Sequence, residues 1–290
     1  MSGKITLLRI LRPHNDESFP GFLLRLAEAN GYERFSWILQ MAGITHPVNY
    51  LPDPDPLKDR IDLSELSNIT NVSAEDLGSL LFERHDGGRH FKQFEIFGQA
   101  VPRYMVRFSR TKVCPACLKE ANYSRKIWDL APVTVCPIHK CFLYDVCPNC
   151  LSPITWNRAH VSICNCTYDF REAPLLKVRE ENLSLAKYIY YLCGMPLPGE
   201  IVQSDNPLYA LDLQHLLLAV FFIAGQLHGF TETTGKFSAP SSRNIVLLHS
   251  LAEAFQVFEN WPHNFNAFLV GLRDRYNVYE GSTGLNADFG

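Results

Sequence analysis

The chain has no apolar run long enough to cross a bilayer. Its longest, Leu216 to Gly225, falls far short of the roughly 20 residues that a spanning helix needs. The opening Met1-Ser2-Gly3-Lys4-Ile5-Thr6 has no signal-peptide core and no small-residue cleavage site. Both absences predict a cytoplasmic protein without a membrane partner. There is no excess of one charge either: a net −3 over 290 residues does not mark a bulk nucleic-acid binder. Hydrophobic residues at 47% and charged residues at 20% exclude global disorder, collagen and coiled coil. No repeat of regular long period is present. Catalytic signatures are missing as well: no Gly-x-Ser-x-Gly, no Walker loop, no dinucleotide fingerprint and no His-Glu-x-x-His. Asp53 and Asp55 are close carboxylates but stand between prolines and read as linker. His160, His215, His228, His249 and His263 form no arrangement that suggests a site. The chain is therefore expected not to be an enzyme.

What it has in surplus is cysteine, nine in all. In a cytosolic chain that points to metal or redox chemistry rather than disulfides. Eight positions pair off: Cys114 with Cys117, Cys136 with His139, Cys147 with Cys150, and Cys164 with Cys166. Two ligands two residues apart make a tight knuckle, and a second pair returning across a hairpin closes a tetrahedron. Taken in order, the pairs predict one Cys₃His and one Cys₄ zinc site, although interleaved pairing satisfies the same spacing. Thiolate softness favours zinc among common metals, and iron also occupies such sites. With all eight positions filled, neither site keeps an open place for water, so two structural zinc ions are expected. Cys141 is left over, either a packed core thiol or a replacement for His139, and Cys193 reads as core.

Charge is unevenly distributed. Leu51 to Glu83 carries two basic and eight acidic residues; Arg84 to Lys126 carries ten basic and three acidic. Within the basic stretch Arg103, Arg107, Arg110 and Lys112 interleave with Tyr104 and Phe108, a pattern suited to nucleic-acid backbones and base stacking. The same pattern fits an element whose aromatics are core and whose arginines are solvated.

Three parts are expected: an N-terminal helical, helix-turn-helix-like domain over 1–110, a tandem zinc-ribbon module over 111–172, and a C-terminal helical domain over 173–290. The fold class is mainly α with small zinc-ribbon β elements. Ser18 caps a first helix with Pro20 in its first turn, and Asn30-Gly31 ends it. A second helix is expected over 33–41, stopped by Gly43, followed by a stiff linker at Pro52, Pro54 and Pro56. Short helices over 63–69 and 73–81, joined at Asn71-Val72, fit a helix-turn-helix or a plain helical hairpin. The second of them carries Glu75 and Asp76 and no basic residue, which suits a protein surface better than a major groove. Helices are also expected over 181–193, 211–227, 245–258 and 264–276, with a loop over 229–242.

Several phrases resemble the TniQ family of transposition proteins. They are Asp16-Glu17-Ser18-Phe19-Pro20-Gly21-Phe22-Leu23-Leu24-Arg25-Leu26-Ala27, Val113-Cys114-Pro115-Ala116-Cys117-Leu118, the run Trp128 to His139, and Leu143 to Cys150. Asn260-Trp261-Pro262-His263-Asn264-Phe265 is similar to a further phrase of the family. The eight ligands keep the family pattern. Lys140 and Thr167 stand where glycine is frequent, which bears on the turns beside each site. The resemblance implies a non-catalytic adaptor that selects the target of a Tn7-like transposon. Such proteins read a DNA attachment site, or dock on a CRISPR effector complex with its guide RNA and hand the target to an AAA+ ATPase regulator. Some CRISPR-associated members are homodimers. Chain length and the acidic helix pair favour the docked form. The alternative is a stand-alone zinc-ribbon and helix-turn-helix DNA-binding protein or transcription regulator.

Overall fold

The computed structural model describes residues 6–44, 63–85, 93–197, 205–228 and 242–283, with backbone alone for 84–85 and 276–283. The proline linker, Asp53 and Asp55, and residues 229–241 of the expected loop lie outside the described residues. No described helix is long and apolar enough to cross a membrane.

Helix α1, Phe19–Ala29, forms as its caps predict: Ser18 is extended and its Oγ accepts from Gly21 N at 3.2 Å. At the other end Gly31 adopts φ +73° after the Asn30 cap, a conformation that glycine reaches without strain. Helix α2, Ser36–Met41, starts three residues later than expected. The pair α3, Leu63–Thr70, and α4, Ala74–Ser79, turns at Asn71 with φ +52°. Ser73 caps α4, accepting from Asp76 N at 3.0 Å. Leu66, Ile69, Val72, Leu77 and Leu80 bury the inner side of this pair, while Glu75 and Asp76 face solvent.

A three-stranded antiparallel sheet follows, where only helical structure was expected. It comprises β1 (Glu83–His85), β2 (Gln93–Ile96) and β3 (Gln99–Pro102), in the order β1-β2-β3. Ile96 pairs with Gln99 across a two-residue turn in which Phe97 and Gly98 both have positive φ, the geometry that matches strand twist. Helix α5, Pro115–Glu120, and the short hairpin of β4 (Val135–Cys136) and β5 (Cys141–Phe142) carry the cysteine pairs that follow. Residues 143–183, with the second set of cysteines, are turns and irregular backbone apart from two short 3-10 turns, and helices follow: α6 (Ser184–Leu192), α7 (Leu213–His228), α8 (Asn244–Gln256) and α9 (His263–Thr283). Mainly α with small β elements is thus the observed class.

Two large apolar cores organise the chain, and they cross the expected three-part division. One gathers α1 to α4 with Val113, Leu118, Tyr144, Cys147, Trp156 and Phe170. The other joins Phe94, Ile96, Val101, Cys114, Cys117, Cys136 and Leu143 to the C-terminal helices through Ile189, Leu217, Leu251 and Phe255. Neighbours Val113 and Cys114, and likewise Leu143 and Tyr144, point into opposite cores, the alternation of extended backbone. Val113 and Tyr144 are bridged, each N–H donating to the other's carbonyl at 2.9 Å. This double-sided segment is the partition between the cores.

The phrase Asp16-Glu17-Ser18 docks the N-terminal helix onto the stretch from Tyr123 to Lys126. Asp16 accepts from Tyr123 Oη at 2.8 Å and pairs with Arg125. Glu17 is buried and takes both Nε and Nη2 of Arg25 at 2.8 and 2.7 Å. Gly21 lies against Ser124, where a Cβ would come within 2.9 Å of the serine Cβ.

Candidate metal centre

The pairing is sequential. Cys114, Cys117, Cys136 and His139 bring their ligand atoms within 4.8 Å of one another, and so do Cys147, Cys150, Cys164 and Cys166. In the first group Cys114 is the N-cap of α5, Cys117 lies within that helix, and Cys136 is on β4. His139 sits in the turn between β4 and β5. Cys117 Sγ is 3.7 Å from Cys136 Sγ, and His139 Nδ1 is 3.5, 3.2 and 3.6 Å from Cys114, Cys117 and Cys136. Zn–S bonds of about 2.3 Å in a tetrahedron give S···S edges of about 3.8 Å, so this donor set fits zinc. The sulfurs are almost wholly buried. Hydrogen bonds with Cys114, then Cys117 and Cys141, hold the Cys136 thiol below its ordinary value.

The second group lies nearer the surface: Cys147 is buried, Cys164 and Cys166 are half-buried, and Cys150 is exposed. Its S···S contacts are 3.7 Å between Cys147 and Cys166 and 3.7 Å between Cys150 and Cys164, again the edge of a zinc tetrahedron. The knuckles are backbone turns. Leu151 N–H donates to Cys147 carbonyl at 2.9 Å, and Thr167 N–H to Cys164 carbonyl at 2.9 Å. When bound, zinc at both sites would supply cross-linking rather than catalysis, since each donor set has four members.

Lys140 and Thr167, which replace the family's frequent glycines, keep the left-handed backbone that glycine favours, with φ +50° and +70°. Both turns therefore carry the steric cost of a Cβ in the left-handed region. Cys141 falls outside the first group of four. It is fully buried, opposite Cys136 in the β4–β5 register, with its Sγ 3.6 Å from Cys114 Sγ. Cys193 caps α6 and is buried in the second core.

The expectation of a phosphate-facing row is corrected for two of its four members. Arg107 is 2% exposed and Lys112 is fully buried. Arg107 Nη1 pairs with Asp145 Oδ2 at 3.2 Å and Nη2 donates to Ser242 carbonyl at 2.6 Å. Lys112 Nζ donates to Leu130 carbonyl at 2.6 Å. Burial pushes both cations toward their neutral forms, and burial also raises Asp129 beside them. Lys126 is buried too, donating to Leu81 carbonyl at 2.6 Å, and desolvation brings it down to about 8. Arg103 and Arg110 stay partly exposed, Arg103 lying 5.7 Å from the Phe108 ring centroid. Phe108 is half-buried and stands roughly perpendicular to the Phe82 and Phe94 rings. Tyr104 remains exposed.

One contact had no counterpart in the sequence reading: His139 Nε2 lies 2.8 Å from Glu120 Oε1. The partner carboxylates Asp129 and Asp145 were also passed over. Each is a lone acid in an apolar phrase, Trp128-Asp129-Leu130 and Tyr144-Asp145-Val146, a pattern that signals a buried ion or cap.

A search of curated proteins finds no match to the chain. Residues 8–143, just under half its length, match the family model TniQ. That span runs from the chain entering α1, through α5 and the whole first donor set, to the residue after β5. Over that span the chain carries a TniQ domain and is similar to the TniQ family of transposition proteins.

Proposed function

We propose that the chain is a non-catalytic target-selection adaptor of a Tn7-like transposon. In this reading it joins a guide-loaded CRISPR effector complex, or a DNA attachment site, to an AAA+ transposition regulator. The observation that carries the reading is the TniQ match. The two closed donor sets support it, because sites with four protein ligands hold a shape rather than activate water.

Burial of three cations of the basic stretch favours the docked form over direct DNA reading. Arg107, Lys112 and Lys126 spend their charge inside the fold, which thins the row of cations available to phosphates. The exposed side of the α3–α4 pair is acidic at Glu75 and Asp76, and phosphates repel such a surface. Of the residues singled out for nucleic acid, Arg103, Arg110 and exposed Tyr104 are the ones that reach solvent. The eight ligands, in their sequential sets, bind two structural zinc ions.

The test is binding of the zinc-loaded protein to target DNA at physiological salt, with and without the guide-loaded effector of the same transposon. Binding only with the effector is expected. Tight, sequence-specific and salt-dependent binding by the protein alone would replace the docked form with a direct reader.

A further inference from the structure

The first donor set has a polar neighbour beyond its four ligands. His139 presents Nδ1 to the three sulfurs and turns Nε2 to Glu120 Oε1 at 2.8 Å. Glu120 is the last residue of α5, three positions after Cys117, so the two side chains lie on one face of the helix. A single short helix thus holds one sulfur ligand and the group that contacts the imidazole ligand. An imidazole that binds a metal through Nδ1 is the neutral tautomer with its proton on Nε2. A carboxylate accepting that proton fixes the tautomer, orients the ring and raises its basicity as a ligand. The second site has no imidazole; there Asn149 Nδ2 donates to Cys166 Sγ at 3.6 Å.

We propose that Glu120 is a positioning residue of the first site: it holds His139 in the tautomer and ring orientation that presents Nδ1 to zinc. The inference rests on the zinc reading above. The competing account is an exposed ion pair of little worth, since the Glu120 side chain is 63% exposed. Exposure also makes the test clean, because removing Glu120 leaves no buried vacancy. Alanine is the better helix former, so a purely helical effect of Glu120→Ala has the opposite sign.

The experiment titrates full-length, zinc-loaded protein with a chromophoric zinc chelator at fixed neutral pH, reading zinc per chain and the affinity of each site. Glu120→Ala is expected to weaken the first site by about 10–100-fold and leave the second unchanged. Glu120→Gln should fall between, because its amide oxygen still accepts but carries no charge. In a His139→Cys background there is no imidazole to hold, and Glu120→Ala should change nothing. A wild-type chain that binds no zinc would sink the zinc reading itself. Two zinc ions in the wild type with Glu120→Ala within roughly twofold of it would overturn only the role of Glu120. An equal loss in both backgrounds would overturn it too, as an effect on α5 rather than on His139.

Discussion

Arg107 decides whether the basic stretch is an interface or a core. Its side chain is 1% exposed, and the Asp145 carboxylate that pairs with it is 9% exposed. The same carboxylate accepts from Asn244 N at 2.7 Å, at the start of α8, where a negative charge is favoured by the helix dipole. Asp145→Ala would strand a buried guanidinium and orphan a buried N–H together. Breaking such a pair costs about 3–5 kcal/mol. With an m-value of roughly 3 kcal/mol/M in urea, the midpoint should fall by more than about 1 M. The double change Arg107→Met with Asp145→Asn removes both charges and keeps an acceptor for Asn244, so most of that loss should return. Urea unfolding with zinc and reductant present measures both. The second readout is DNA binding against salt. If Arg107 is core, the double variant keeps the wild-type slope. A phosphate contact at Arg107 would instead lower the slope by about one unit. Arg107→Met alone with wild-type stability and a shallower salt slope would refute the buried-pair account.

Thr167→Gly should stabilise the protein by about 0.5–1 kcal/mol, because a β-branched residue at φ +70° is strained by more than glycine loses in chain entropy; thermal melts in excess zinc check it. Gly21→Ala should destabilise by about 1–3 kcal/mol despite alanine's helix preference. Its Cβ would meet Ser18 Oγ at 2.6 Å and disturb the α1 cap; an unchanged melting temperature would remove this reason for the glycine. Cys114→Ser and Cys150→Ser should each lower zinc from two ions to one per chain, measured by metal analysis. Limited proteolysis should then separate them. Loss at the buried Cys114 site should open the core that holds Cys114, Cys117 and Cys136 with the C-terminal helices, whereas loss at the exposed Cys150 site should open residues near 147–169 first.

The caps of α1 and α4 were legible because they are local: Ser18 and Ser73 sit where side-chain oxygens meet free N–H groups. Both donor sets were legible because ligand spacing within a knuckle is set by the metal. The sheet of β1 to β3 was not, since its strands are three or four residues long. Its tight turn is Phe97-Gly98 rather than the Asn-Gly or Asp-Gly that announces such turns. Nor was the fate of Arg107, Lys112 and Lys126. A count of charges along the chain carries no depth, and what buries these cations is distant in sequence: Asp145, Leu130 carbonyl and Leu81 carbonyl. Glu120 went unnoticed for the same reason, as its partner lies nineteen residues away across the metal site.

The cores bear on what the metal is for. A free-standing ribbon would need zinc only for itself. Here Cys114, Cys117 and Cys136 are members of the core that contains Leu217, Leu251 and Phe255, while Cys147 belongs to the core that contains α1 to α4. The partition between them is a few residues wide, and Asn244 ties α8 to it by donating to Thr134 and Leu143 carbonyls at 2.8 and 2.7 Å. Each zinc would therefore brace a different core from the shared wall. An adaptor that positions one partner relative to another gains from this arrangement, because surfaces on opposite cores then keep a fixed distance and angle. Loss of either metal should weaken that relation before it alters any single contact surface.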